Sequence, residues 1–349
     1  MPFNGDGFHI MNEESSKVLD DIMVFFEQFR LPMLFLVSGA GTVYAFSRKN
    51  SWQFVKERSS RLLIPLIFGI LIVVPPQTYF ENKEKFGSYF DFYDVLYNYA
   101  EVNHLWFIEN LFYLSVFSIP IILYLRSIRS VQFRGRLSGV LSNKYGVFIL
   151  GLLLIVVRVI SKEFFPEDSK DIANLSETLY FHFFFLCGIY FTSSKDLWKS
   201  IVNYRRFNLI VTIVSFALFY GYYFLPGEIA SQYLSLANRW RLWYAVSAFL
   251  SVSLVFTAIG YGKKYLNHPS SLLKKLNEGI YPFYVLHQTA IVVFAYYIVQ
   301  LDFSIWLKIV LLMVTTLPSI LLIYHYLIYP FKVLRFLFGM KINREEKGG

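Results

Sequence analysis

The stretch Glu27–Pro65, EQFRLPMLFLVSGAGTVYAFSRKNSWQFVKERSSRLLIP, decides how the rest of the chain is read. It is an apolar run that carries Glu27 and Arg30 inside it, leaves the apolar phase through a basic turn, and re-enters at Arg58 and Arg61. A charge deep within an apolar helix is costly and marks a candidate functional site. Glu27 and Arg30 share a helix face, either as an ion pair that orients two helices or as the lining of a polar cavity. Pro32 removes one backbone hydrogen bond just after Arg30. The small patch Ser38-Gly39-Ala40-Gly41 permits close helix approach, so packing is its expected role. Arg58 and Arg61, three residues apart, form a fork suited to phosphate, or serve only as cytoplasmic anchors.

Outward from that stretch the composition agrees. Of 349 residues, 56% are apolar and 16% charged; soluble domains carry about 25% charged residues. The expected fold is all-α, a polytopic transmembrane helix bundle in one integral-membrane domain, 1–349. Runs long enough to cross a bilayer fall at about 20–46, 61–80, 104–125, 145–161, 177–193, 207–225, 240–260, 279–299 and 305–329, nine in all. The single cysteine, Cys187, excludes an intrachain disulfide and reads as a packed apolar residue.

Charge sets the expected orientation. Of 33 Lys and Arg residues, 23 fall in alternate connections (47–61, 126–144, 194–206, 261–278 and the tail), against six in the others. Basic connections stay in the cytoplasm, so the C-terminus and the tail 330–349 are expected inside and residues 1–19 outside. The net charge of +9 therefore belongs to membrane-flanking loops, which removes the case for a nucleic-acid partner. An odd number of spans puts a polar N-terminus outside with nothing to lead it across, so this topology expects one further helix before Met1.

Three more groups of residues carry possible chemistry. In His104-Leu-Trp-Phe-Ile-Glu109-Asn110 the histidine starts a span from its outer end, and Glu109 lies deeper. His104 reads as an interfacial residue or, like Glu109, as a general base toward a hydroxyl arriving from outside. Glu177, His182, Arg158 and Arg241 occupy the outer halves of their spans. Each alone reads as structural; together they suggest a vestibule for a hydroxyl-rich ligand. Tyr281-Pro-Phe-Tyr-Val-Leu-His287-Gln288-Thr289 brings His287 near mid-depth, as a buried neutral histidine or a participant in catalysis. No spacing typical of a metal site, a nucleotide loop or a serine nucleophile is present.

The segments FRLPMLFLVSG, RSSRLLIPLIFG, HLWFIENLFYLS and YPFYVLHQTAIV, in that order over about 20–300, resemble the acyltransferase-3 family of integral-membrane O-acyltransferases, most of all its glucan-modifying branch. The resemblance implies ten membrane helices, acyl-CoA used from the cytoplasm, no metal, and a glycan hydroxyl as extracytoplasmic acceptor. It implies that Arg58 and Arg61 bind acyl-CoA, with Arg30 matching the arginine before the Leu-Pro step. His104, Trp106 and His287 match the family's histidine-bearing motifs. The family's hallmark histidine lies on a first helix that has no counterpart here, and His9 is expected in a polar segment outside the bundle.

The combined expectation is a bacterial inner-membrane enzyme. Acyl-CoA docks at Arg58 and Arg61, its thioester near Arg30. A histidine on the missing helix acts as base, and His104, Glu109 or His287 assists. A transporter of glycans or lipid-linked sugars, and a truncated inactive scaffold, are the rival readings. A transporter is expected to show paired repeats of broken helices, and no internal symmetry is visible.

Overall fold

Apolar runs without water around them must close their backbone hydrogen bonds internally, and a helix does so within one segment. The structure, a computed structural model, describes residues 1–5, 7–99, 101–170 and 172–340. Among these residues there is no strand, and each of the nine expected spans is helical. In chain order the principal helices are α1 (Lys17–Phe46), α2 (Ser51–Glu81), α3 (Asn103–Phe117), α4 (Ile119–Arg126), α5 (Gly146–Phe164) and α6 (Leu175–Thr192). They continue as α7 (Arg205–Tyr223), α8 (Leu236–Tyr265), α9 (Ser271–Ile298), α10 (Ile305–Ile328) and the short α11 (Lys332–Leu337). Among the described residues, α1, α2, α8 and α10 are long and apolar enough to cross a membrane unaided; counting each of two bent helix pairs as one span raises the number to six. The expected tail is described to Met340, and its Lys341, Arg344 and Lys347 lie outside the described residues.

Helix starts follow local chemistry. Asn174, Ser235, Ser270 and Ser304 each accept a hydrogen bond from a backbone N–H in the first turn of α6, α8, α9 and α10, which supplies one of the partners that every helix start lacks.

Contacts divide the chain into two units. The second unit, 24–54 and 113–268, contains most of α1 together with α4 to α8. Its closest approach is glycine against backbone: a Cβ on Gly39 would overlap the Phe185 carbonyl, and one on Gly188 would overlap the Leu36 carbonyl. The Ser38–Gly41 patch thus packs as its composition predicts, and Gly188 on α6 is its counterpart. Hydroxyl pairs join further helices: Tyr180 donates to Ser251 at 2.8 Å, and Thr212 meets Thr257 at 2.9 Å.

The first unit, 1–23, 55–112 and 269–349, carries the candidate site. Its α2 is irregular. π-helical turns at Ser59–Leu63 and Gly69–Val73 flank Pro65, and Pro75-Pro76 follow. Such turns insert an extra residue into a helix and recur at functional sites; the first of them contains Arg61. Residues 1–16 fold back onto this unit. Phe3 is 1% exposed and clusters with Leu19, Ala295, Ile298 and Leu312. Lys308 donates to Asn12 Oδ1 at 2.7 Å, and the Gly5 N–H donates to Asp20 at 2.7 Å. At the other end of the chain, α11 closes on Gly339, whose φ of +67° is left-handed. A Cβ there would lie 2.7 Å from the Arg61 carbonyl and 2.7 Å from the Tyr281 ring.

Candidate functional site

One face of α9 organises the site. Tyr281 adjoins both Arg58 and Arg61. The two guanidiniums stand close enough to repel each other, and Glu57 lies 3.9 Å from Arg61. The Arg61 Nε and the Tyr281 hydroxyl are buried without a hydrogen-bond partner. Buried polar atoms are nearly always satisfied, so orphaned donors beside two cations call for an anion. The arrangement suits the phosphates of a nucleotide-like substrate.

Further along α9, Tyr284 donates its hydroxyl to the His104 backbone carbonyl, and the His104 and His287 rings meet edge to face, 5.3 Å between centroids. Tyr281 and His287 are six residues apart, which is about 9 Å along a helix. Pro282 lies between them inside the continuous helix.

His104 itself is fully engaged. Its Nε2 lies 3.0 Å from the Val285 carbonyl, so that nitrogen carries the proton and donates it. Its Nδ1 then accepts from the Gln77 amide at 3.3 Å. The same amide donates to Thr289 Oγ1 at 2.6 Å, and Thr289 donates to the Val73 carbonyl at 2.7 Å. Val73 ends the second π-helical turn, so the irregularity of α2 provides an acceptor inside the site. Two local features set the His104 turn. Asn103 holds φ at +48°, a left-handed conformation that asparagine tolerates, and accepts the His104 N–H at 2.7 Å. Gly69, which has no Cβ, leaves room for Leu105. His287 donates from Nδ1 to the carbonyl of Tyr284 on its own helix at 2.5 Å, which leaves Nε2 as its accepting nitrogen.

The structure therefore gathers Arg58 with Arg61 and His104 with His287, all in the first unit. Glu109 is half-buried on α3, in the turn after His104. Arg30 and Glu27 lie on the part of α1 in the second unit, both exposed, and no ion pair joins them. The expected vestibule takes a different form: Arg158 and Lys162 both pair with Glu177, Arg241 pairs with Glu163 at 2.5 Å, and His182 presents a buried Nε2 with no hydrogen-bond partner. Among the described residues no three His, Cys, Asp or Glu side chains gather as metal ligands.

One placement corrects the sequence reading. His9 was expected in a polar segment outside the bundle. Its side chain is only 19% exposed, with Nδ1 at 2.9 Å from Glu81 Oε2 and Nε2 at 2.8 Å from the Gln288 amide. The Gln288 amide also donates to Asn103 Oδ1 at 2.7 Å. Burial of Phe3 and the Lys308–Asn12 bond bring the segment in, and neither is visible as periodicity. Gln77, Gln288 and Thr289 were also missed as site residues, although Gln288 and Thr289 adjoin His287 and Gln77 follows a Pro-Pro step.

The family described as an acyltransferase domain, acyltransferase-3, matches residues 2–325, which includes the arginine pair, the histidine pair and His9. No curated protein matches the chain, and no solved structure does. With the greater part of its length matched, the chain belongs to the acyltransferase-3 family and is a multi-pass membrane acyltransferase.

Proposed function

We propose that this acyltransferase moves an acetyl or succinyl group from cytoplasmic acyl-CoA to a hydroxyl of an extracytoplasmic glycan, as in the glucan-modifying branch of its family. In this reading the enzyme resides in a bacterial inner membrane, and the distribution of basic residues supports a cytoplasmic C-terminus. The observation that carries this reading is the course of α9, along which Tyr281 meets the Arg58–Arg61 pair and His287 meets His104. A phosphate-bearing donor held at the first place has its acyl end within reach of the second.

Arg58 and Arg61 bind the diphosphate, with Tyr281 donating a hydrogen bond beside them. His104, locked as a neutral donor to Val285, orients the site. His287 and Glu109 face the reacting groups and assist proton movement. Arg30 enters as a donor-binding residue through the family resemblance alone. The whole transfer exchanges a thioester for an oxygen ester.

The test is transfer of labelled acetyl or succinyl from the corresponding CoA thioester to glycan in isolated membranes. The double variant Arg58→Ala/Arg61→Ala is expected to insert normally and to lose transfer. Normal turnover by that variant would reject the donor site.

A further inference from the structure

We propose that the second unit binds an anionic phospholipid of the cytoplasmic leaflet, in a cavity of about 330 Å³ lined by Arg126 and Arg134. The cavity lies where three helices end: α1 at Phe46, α4 at Arg126 and α6 at Thr192. Val43, Ile122 and Ile189 line it as well, so an apolar wall adjoins the two cations. Small-molecule sites span roughly 300–1,000 Å³, and this one has room for a single headgroup. Thr192 and Ser193 are also in the lining, but both give their hydroxyl protons to carbonyls of α6. The guanidiniums are therefore the donors left for a ligand.

Both arginines are held in place, and neither is neutralised. Arg126 donates from Nη1 to the Phe46 carbonyl at 3.3 Å and from Nη2 to the Val43 carbonyl at 3.1 Å, and its guanidinium lies over the Phe46 ring at 4.9 Å. These bonds answer the last carbonyls of α1 and offset the negative end of that helix, which would otherwise repel an anion. Arg134 donates from Nε to Ser130 Oγ at 3.0 Å, and Ser130 is fully buried. That bond anchors the guanidinium and leaves the hydrogens of Nη1 and Nη2 to a ligand. Among the described residues no carboxylate pairs with either arginine, and the connection 126–144 contains no Asp or Glu. Two fixed, unanswered guanidiniums beside an apolar wall suit a phosphodiester that carries acyl chains.

The surroundings favour a lipid over a soluble phosphate. Arg126 ends α4, the second half of a bent pair that is apolar enough to cross a membrane, which puts its guanidinium at the level of the headgroups. The segment that follows is basic and also exposes apolar side chains. Ile128 is 90% exposed, and Val131 and Phe133 are exposed beside Arg129 and Arg136. Exposed apolar residues interleaved with arginine belong in a membrane interface rather than in water. Basic connections stay on the cytoplasmic side, whose leaflet carries anionic lipids. A soluble phosphate would meet the two cations and gain nothing from the apolar wall. The site shares no residue with the donor site at Arg58 and Arg61.

The experiment uses the full chain in an uncharged detergent, with its unfolding temperature read as lipid is added. Phosphatidylglycerol is expected to raise that temperature saturably. Phosphatidylcholine and glycerol 3-phosphate, at the same concentrations, are expected to leave it unchanged. Arg134→Gln should unfold near wild type without lipid, because Ser130 is its only side-chain partner among the described residues. The same variant should need about tenfold more phosphatidylglycerol for half its effect, the loss of one charge-assisted hydrogen bond. Val43→Phe, which fills the cavity and keeps both charges, is expected to lose the response. Arg129→Gln, which removes a charge from the same connection outside the cavity, is expected to keep it. Equal protection by phosphatidylcholine, or an equal loss in Arg129→Gln, overturns the site, since bulk lipid or bulk charge then explains the effect. Protection by glycerol 3-phosphate overturns the lipid as occupant. An undiminished response in Arg134→Gln overturns the assignment whatever Val43→Phe does. Acyl transfer is not read in any arm, so failure here leaves the proposed reaction standing.

Discussion

The two units each contain a polar cluster in apolar surroundings, and the clusters are built on opposite rules. In the second unit the cluster of Arg158, Lys162 and Glu177 answers its charges from within. Arg158 meets Glu177 at 2.7 Å and lies over the Tyr180 ring at 4.6 Å. Lys162 bonds Glu177 at 3.1 Å, Asp168 at 2.6 Å and the Glu167 carbonyl at 2.6 Å, which uses all three of its donors. Two cations face two anions, and the loop after α5 is tied down by them. In the first unit Glu57 lies 3.9 Å from Arg61, and the Arg61 Nε and Tyr281 hydroxyl are orphaned. Ionisable residues at depth therefore do not by themselves mark a site. The distinction is whether their hydrogen bonds close without a ligand.

That contrast can be broken by measurement. Glu177→Gln has the largest expected effect, because it leaves Arg158 and Lys162 without their shared carboxylate. Removing one partner of a buried ion pair costs about 3–5 kcal/mol, read as a fall in unfolding temperature in detergent. Turnover per folded molecule should stay the same, and a drop would draw this cluster into the chemistry. Gly339→Ala comes next. The left-handed φ costs about 1–2 kcal/mol for an L residue, and the new Cβ presses on the Arg61 carbonyl. Both a lower unfolding temperature and a raised KM for acyl-CoA are expected; a change in stability alone would separate α11 from the donor site. Smallest is Tyr281→Phe. It removes a hydroxyl that has no partner in the ligand-free chain, so stability should not fall. One lost hydrogen bond, about 0.5–1.5 kcal/mol, should weaken acyl-CoA binding by about tenfold at most. A destabilised Tyr281→Phe would mean that the hydroxyl was satisfied all along.

Much of the fold was legible because hydropathy and helix geometry act locally. All nine apolar runs are helices, and the Gly39 patch packs as its small side chains require. Arg58 and Arg61 could be paired from their spacing, and His104 and His287 stood out in separate motifs, but their meeting could not be read. His9 could not, since a polar segment carries no signal of where it returns; one buried phenylalanine and one lysine–asparagine bond decide it. Arg158 and Glu177, read as part of a vestibule, pair within their own unit, and this was hidden for a related reason. Their depth was visible, but their mutual distances depend on how α5, α6 and the loop between them come together. Gly188 was overlooked because a glycine shows its purpose only when its facing backbone is known.

The placing of Tyr281 and His287 on one continuous helix has a consequence for what this chain can tolerate. Inserting or deleting one residue between them turns everything beyond by about 100°. Such a change would carry Gln288 off the face it shares with Tyr281 and turn His287 away from His104 while leaving hydropathy and length nearly untouched. Change by substitution is open to this segment; change by length is not.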